Sequence, residues 1–369
     1  MGRPSSGSTR RLPSGLWQAR ISHVGRQLTL GTYRSRQEAL DAVADARSRG
    51  TRGRLVDPAR GRTRVAVVAE QWWLTRSGHR ESTRARDRVV IDHHLLPELG
   101  EAQLSELTHD EVQAWVNRLA SRVAPATVQR SFTVLRQLLD FTVDNGLLSL
   151  NPSERIALPR RQPFEARFLT PDELEALAAT VDERSRAAVL VMAWATLRIG
   201  EVLGLRRIDL DLNAGRLRVA NNLVEVGSRL HEGPPKTRAG RRSMTLPASV
   251  VADLRIHVAK FGGGSYVFTT PSGRPWHAED WRVRVWRPAV ERAGLAPLQP
   301  HDLKHTGVAL LAAAGVDPSE IARRAGHTSV AFTYDRYGHL FPEVDVGAAA
   351  KLNALRTHGL GMWEGREHG

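Results

Sequence analysis

Residues 301–306 read HDLKHT. Two histidines stand four apart with an acid and a base between them, a spacing that puts both rings on one face of a helix. Such a pair can ligate a metal ion, and with the lysine it can also receive a phosphate. His301 and Lys304, three apart, share the same face. Downstream, His327 follows Gly326 at an expected helix C-terminus, and Tyr334 and Tyr337 come soon after. Upstream, Arg198 ends the apolar run from Ala187 to Leu197, so its guanidinium is expected at a buried helix end. An arginine there needs an anionic partner, and Glu201 is placed to be one. Lys236 falls in a loop between expected strands. Taken singly, each has an ordinary explanation: a structural ion pair, a solvated lysine, a surface histidine.

The elements that must position these residues follow from pattern. GLWQARISH alternates, with Leu16, Gln18 and Arg20 on one side and Trp17, Ala19 and Ile21 on the other, and GRQLTLGTY repeats the strand pattern. A helix follows, with Ser35 as N-cap, Glu38 three residues on and Gly50 as stop. Residues 51–63 read as a Gly/Arg/Pro-rich linker. Four helical segments then run from Val65 to Gly146. The first ends at Gly78, the second starts at the cap Ser82 and is broken by Pro97, the third starts at Thr108 with Glu111 completing a capping box, and the fourth closes at Gly146. Trp72, Trp73 and Trp115 are expected in their core. A proline-punctuated second linker follows Asn151. Beyond it, Thr170-Pro171-x-Glu173 opens a third region with a capping box and proline at the first helical position. A helix begins near Arg184. RLRVANNLVEV and RRSMTLP read as strands around the turn-rich GSRLHEGPPKTRAG, YVFTTPSGRPW adds a strand and turn, and the chain from Glu279 is mostly helical.

Composition narrows the partner. The 369 residues carry a formal net charge of +14, a field that attracts polyanions, of which nucleic acid is the commonest inside cells. The first 64 residues hold 14 arginines against four acids. Cysteine is absent, which excludes disulfides and thiolate metal sites. There is no secretory signal pattern, and the longest apolar stretch is far short of the ~20 residues of a membrane span. A cytoplasmic protein is expected. Arginine outnumbers lysine 49 to 4, so each lysine stands against its background, Lys304 included.

The segments ATLRIGEVLGL, PPKTRAGRRSMTLP, PHDLKHT and RAGHTSVAFTYDRYGHL occur in that order. Together they resemble the tyrosine recombinase family of phage-type integrases, and the resemblance extends over the whole chain. It implies a multidomain, mainly α protein with small β-sheets. Residues 1–57 correspond to an arm-type DNA-binding domain, a three-stranded sheet plus helix, in which Trp17, Arg20, Arg34 and Arg36 are candidate DNA contacts. Residues 64–160 correspond to a helical, SAM-like core-binding domain, 165–350 to an α+β catalytic domain, and 351–369 to a C-terminal tail. Arg198 corresponds to the first catalytic arginine and Glu201 to its supporting acid. Lys236 corresponds to the lysine of a mobile strand-turn-strand element, His301 and His327 to the two histidines, and Tyr337 to the nucleophile; Tyr334 fits less well. One position departs from the pattern: the family has arginine where this chain has Lys304.

The implied activity is site-specific DNA recombination through a 3′-phosphotyrosine, with no cofactor, metal or ATP. The implied partners are double-stranded DNA attachment sites, three further copies of the chain in a homotetramer on DNA, and an accessory bending protein or excisionase. Two alternatives stand beside it. Lys304 can mark a catalytically weakened recombinase-fold DNA-binding protein. More remotely, His301 and His305 can serve a zinc hydrolase, although Lys304 would then lie beside the metal and Asp302 would stand where a glutamate base is usual.

Overall fold

The structure is a computed structural model that describes residues 7–23, 26–51, 60–161, 167–235, 237–341, 352–354 and 356. The chain divides into two compact units, Met1–Pro163 and Phe164–Gly369. Lys236 lies outside the described residues, as does nearly all of the expected C-terminal tail. Among the described residues no helix is long and apolar enough to cross a membrane.

The first unit begins with an antiparallel sheet of β1 (Gly7–Arg11), β2 (Trp17–His23) and β3 (Arg26–Tyr33), in that order. The alternation in β2 has the expected consequence. Ala19 and Ile21 are fully buried, and Ala19 packs with Ala39 and Val43 of helix α1 (Arg36–Thr51). Ser35 Oγ accepts from the Glu38 amide at 3.1 Å, and the Glu38 carboxylate returns bonds to the amides of Arg34 and Ser35. β1 carries no apolar alternation of its own; it is a strand because its backbone pairs with β2 from Gly7↔Ile21 to Arg11↔Trp17.

The same unit continues with α2 (Val65–Thr75), α3 (Glu81–Val90), α4 (Leu96–Leu99), α5 (His109–Ala120) and α6 (Pro125–Asp144) around one core. Trp72 and Trp115 are buried in that core, while Trp73 is half-buried at its edge. Three expectations need correction. Pro97 does not break its helix: a π-helical turn, Ile91–Leu95, precedes it and leads directly into α4. The wider turn removes the clash between the proline ring and the carbonyl four residues back. The cap at Thr108 is half made, with Thr108 Oγ1 accepting from the Glu111 amide at 3.2 Å. The two expected linkers are partly structured. Gly61 is buried in a 3₁₀ turn, and residue 157 is stitched to α5 by paired bonds with Gln113 at 2.8 and 3.1 Å.

The second unit starts with α7 (Pro171–Thr180), where the Thr170/Glu173 capping box is complete. Then come α8 (Glu183–Trp194) and α9 (Ile199–Leu203). The stretch read as one strand, RLRVANNLVEV, is two. β5 (Arg216–Val219) pairs with β4 (Leu210–Asp211) and β8 (Arg242–Thr245), whereas β6 (Asn222–Val226) pairs only with β7 (Arg229–Gly233). YVFTTPSGRPW makes isolated bridges, Arg206↔Tyr266 and Thr269↔Pro275, rather than a strand. Helices α10 (Ala248–Phe261), α11 (Ala278–Trp281), α12 (Arg287–Arg292), α13 (Pro300–Ala313), α14 (Pro318–Ala325) and α15 (Val330–Tyr337) complete the unit. A second π-helical turn, Arg282–Trp286, stands before Pro288 as the first stands before Pro97. Helix α13 crosses α8 at Gly307, where a Cβ would lie 2.0 Å from the Ala193 carbonyl oxygen. That close crossing sets the position of His301–His305 relative to the end of α8.

Candidate active site

Arg198 does not end a helix. Helix α8 stops at Trp194, Thr196 takes φ 52°, and Arg198 is the N-cap of α9. The apolar run predicts burial correctly but is silent on this break. The Glu201 carboxylate reaches back to the Arg198 amide at 3.0 Å and receives Arg198 Nη1 at 2.9 Å. From the other side it receives Arg242 Nη1 at 3.2 Å and Nη2 at 3.0 Å. Burial pushes the Glu201 carboxyl up, but the charge and hydrogen bonds of Arg242, aided by Lys304 and Arg198, win and hold it down at about 2. The carboxylate is therefore ionised, and it fixes Arg198 with 42% of its side chain still exposed.

Arg242 is buried, and it also bonds the carbonyls of Arg324 at 2.5 Å and Gly240 at 3.0 Å. The Thr196 hydroxyl donates to the same Arg324 oxygen at 3.0 Å. Lys304 Nζ donates to the next carbonyl, that of Ala325. The C-terminal carbonyls of α14 thus face two cations and a hydroxyl, the charge that a helix C-terminus favours. Gly326 then turns the chain with φ 64°. Its missing Cβ leaves room beside Arg242 Nη1, which such an atom would meet at 3.0 Å. The next residue is His327. Lys304 is 2% exposed. Burial, then repulsion from Arg198 and Arg242, pushes its ammonium well below the ordinary lysine range, with Glu201 opposing.

Arg198, His301, Lys304, His305, His327, Arg336 and Tyr337 line one cavity of about 400 Å³. Tyr337 is 1% exposed, and its oxygen shares a hydrogen bond with His305 Nδ1. The His301 and His305 rings meet edge to face with centroids 4.8 Å apart. The His327 ring lies parallel to that of Tyr337 at 6.1 Å, and its Nδ1 is bonded to Thr333 Oγ1 at 2.9 Å. Burial first, and then neighbouring positive charge, lowers His301 and His327 to about 4 each. Burial raises Tyr337 to about 12, against the opposing pull of Arg336 and Arg198. The cavity therefore presents neutral imidazoles, fixed cations and a protonated phenol. That set is suited to receiving a phosphodiester: cations for its nonbridging oxygens, and a nucleophile whose proton needs an acceptor.

Five of the expected site residues meet at this cavity: Arg198, His301, Lys304, His327 and Tyr337. Glu201 backs Arg198 from behind. Tyr334 is not at the cavity; it is 48% exposed and its ring packs against Phe341 at 5.4 Å. Sequence reasoning missed Arg242, Thr333 and Arg336, and considered His305 only as a zinc ligand. For Arg242 a signal existed, since it alternates with buried Met244 along β8 and so points inward. Among the described residues no group of three or more His, Asp or Glu side chains is arranged to hold a metal ion. The zinc alternative thus rests on two histidines alone, one of them bonded to Tyr337.

Just after the N-terminal sheet, Arg34 and, at the start of α1, Arg36 are exposed. Arg20 is half-buried and bonds Gln18 at 2.8 Å. Trp17 is also half-buried, packed on the Ala19–Ala39–Val43 cluster with the Arg36 guanidinium 5.8 Å from its ring. Its ring is committed more to that small core than to solvent.

Residues 167–343 match the sequence profile of the "Phage integrase family", and residues 66–120 that of the "Phage integrase, N-terminal SAM-like domain". A putative prophage phiRv2 integrase of Mycobacterium tuberculosis is 29% identical over 361 residues, 95% of each chain. The integrase of Mycobacterium phage FRAT1 is 32% identical over 255 residues, 67% of this chain and 74% of that one. Among solved structures, the Tn1549 transposon integrase bound to transposon right-end DNA superposes with a TM-score of 0.65 at 19% identity, covering 80% of this chain and all of that one. A lambda integrase tetramer on a Holliday junction gives 0.59 at 17% identity, covering 87% and 95%. The profile matches and the 32% identical integrase place the chain in the phage integrase family, whose members are tyrosine site-specific recombinases.

Proposed function

We propose that the chain cleaves and rejoins DNA at specific attachment sites through a 3′-phosphotyrosine on Tyr337. The observation that carries this reading is the Tyr337 oxygen at a cavity shared with Arg198, His301 and His327. In the forward step the Tyr337 oxygen bonds to phosphorus and the bond to the 5′ oxygen breaks. The phenol loses its proton and the departing oxygen gains one. Bond energy is kept in the intermediate, so the step reverses without ATP. Arg198, pinned by Glu201, is the fork for the nonbridging oxygens, with Lys304 a second positive charge. His301 and His327 are neutral imidazoles able to accept or donate hydrogen bonds there, and Lys236 is assigned to protonate the leaving oxygen. No metal enters this scheme, because the protein supplies the positive charge.

The same reading divides the chain into an arm-type DNA-binding domain (1–57), a core-binding domain (64–160), a catalytic domain (165–350) and a tail (351–369). It takes a homotetramer on double-stranded DNA as the working assembly, with an accessory bending protein or excisionase as a further partner. The lambda integrase tetramer on a Holliday junction, similar in fold, supports the tetramer on DNA.

The test is covalent trapping on a nicked suicide substrate. Tyr337→Phe loses the adduct while still binding DNA, and Tyr334→Phe keeps it. The opposite pattern moves the nucleophile to Tyr334. A second reading, DNA binding without efficient strand exchange, draws support from the Lys304 ammonium, which is engaged by the Ala325 carbonyl. Absence of any adduct from the wild type would favour it.

A further inference from the structure

Tyr337 requires a proton acceptor, and the family resemblance directs attention to its two histidines, His301 and His327. The geometry directs it elsewhere. His305, one helical turn later on α13, is 5% exposed, and its Nδ1 is the atom bonded to the Tyr337 oxygen. The direction of that bond is set by the His305 tautomer, and with the proton on Nε2 the ring accepts from the phenol. Arg336 approaches the same oxygen as a hydrogen-bond donor, and a guanidinium cannot accept. It occupies one of the two phenol lone pairs, and the phenol's own hydrogen points to Nδ1 when the imidazole proton sits on Nε2. The His301 ring, edge-on to that of His305 at 4.8 Å, stands behind the acceptor.

We propose that His305 is a catalytic residue, the base that receives the Tyr337 proton during cleavage and returns it during rejoining. As the bond from the Tyr337 oxygen to phosphorus forms, the phenolic proton passes to Nδ1 and the bond to the 5′ oxygen breaks. That oxygen takes its proton from a separate donor, assigned above to Lys236. In rejoining, the 5′ hydroxyl attacks phosphorus, the phenolate leaves and His305-H⁺ reprotonates it. Burial and the neighbouring His301, Arg336 and Lys304 hold the His305 imidazole down at about 3. It is therefore neutral and able to accept in the DNA-free protein, and an entering phosphate, being negative, raises its basicity where the proton must go.

The inference rests on Tyr337 being the nucleophile, and the experiment separates the two. The full-length protein is assayed on the suicide substrate as wild type, His305→Asn, His305→Ala and Tyr337→Phe. Asparagine can accept the hydrogen bond but cannot take the proton. Both His305 variants should cleave at least about 10²-fold more slowly, the usual worth of a positioned base. Each variant is then made in the Tyr337→Phe background and given DNA ending in a 3′-p-nitrophenyl phosphate, together with a strand bearing a 5′ hydroxyl. Here p-nitrophenolate leaves without needing a proton and the tyrosine takes no part. Ligation should match that of Tyr337→Phe alone, which also reports folding and DNA binding. Wild-type cleavage by His305→Asn, or a fall in ligation parallel to the fall in cleavage, overturns the proposal. Adduct formation by Tyr337→Phe would instead overturn the nucleophile assignment beneath it.

Discussion

In each unit a buried carboxylate lies between two arginines, Asp87 in the first and Glu201 in the second, and the Glu201 group stands at the candidate site. In the first unit Asp87, 1% exposed, receives Arg76 Nε at 2.8 Å and also Arg130. In the second, Glu201 receives Arg198 and Arg242. Exposure does not separate the cases, for Arg130 and Arg198 are 43% and 42% exposed. The surroundings do. Arg76 lies over the Trp72 ring at 4.5 Å and lines a shallow cavity with Asp140 and Asp144, where its charge is already answered. Arg198 lines a cavity with histidines, Lys304, Arg336 and Tyr337, where three basic side chains face a lining that holds one carboxylate, Asp302. A cluster of cations held together at some cost awaits an anion. The paired arginine is common to both; the uncompensated field belongs to one.

Removing each carboxylate is the most severe way to test that contrast. Glu201→Ala and Asp87→Ala each strand a buried or half-buried arginine, and each should cost about 3–5 kcal/mol in chemical denaturation. Single-turnover cleavage at saturating protein should fall only for Glu201→Ala, because Arg198 loses its anchor. Equal catalytic loss in both variants would end the distinction. The matched pair of arginines comes next. Arg198→Ala should slow cleavage on the order of 10²–10³-fold, the effect of losing one aimed donor, with little change in stability for a side chain so exposed. Arg130→Ala should leave the saturated rate unchanged.

Acid sharpens the comparison further. Glu201 is held at about 2, below its ordinary 4.5. A depressed carboxyl contributes stability that is fully present above the unfolded-state value and is lost as pH falls through the folded one. The amount is roughly 3 kcal/mol. The stability gap between wild type and Glu201→Gln, read by denaturation, should therefore be constant near neutrality and close between about pH 4.5 and 2. A gap that persists unchanged at pH 2 would mean that the carboxylate's charge is not what stabilises the pair.

Much of this arrangement could be read from residue types, and the exceptions have physical causes. Thr170/Glu173 and Ser35/Glu38 announce their helices because capping is local, requiring nothing beyond four residues. Pro97 misleads because a π turn can absorb a proline, and nothing in composition marks that turn. The apolar run points Arg198 to the wrong kind of helix end because the positive φ of Thr196 depends on packing against α14, through its hydroxyl to Arg324. The β5/β6 division depends on which distant strands pair. Motif spacing picked out Arg198, His301, Lys304, His327 and Tyr337. It passed over Arg242 and offered His305 only as a metal ligand, because the contacts of both arise only when separate elements meet.

The smallest expected effect is at Lys304, where the two kinds of pairing overlap in one residue. Its ammonium lines the cavity, yet it donates to the Ala325 carbonyl, as a purely structural cation would. As a point charge it cannot grip two oxygens at once, which arginine does. Lys304→Arg should therefore equal or exceed the wild type in single-turnover cleavage, by up to about tenfold, since retained charge keeps the deficit smaller than the loss of a whole donor. The gain requires the larger head group to hold the α14 carbonyl and still reach the cavity. Lys304→Ala should be severely impaired, with DNA affinity little changed, because it loses both the strut beneath His327 and the charge. Lys304→Met keeps the length and removes the charge. If Met cleaves like Ala, charge is what matters; if Met cleaves like wild type, Lys304 belongs with Arg76 and Arg130 as a structural residue, and Arg198 and Arg336 carry the cationic work alone.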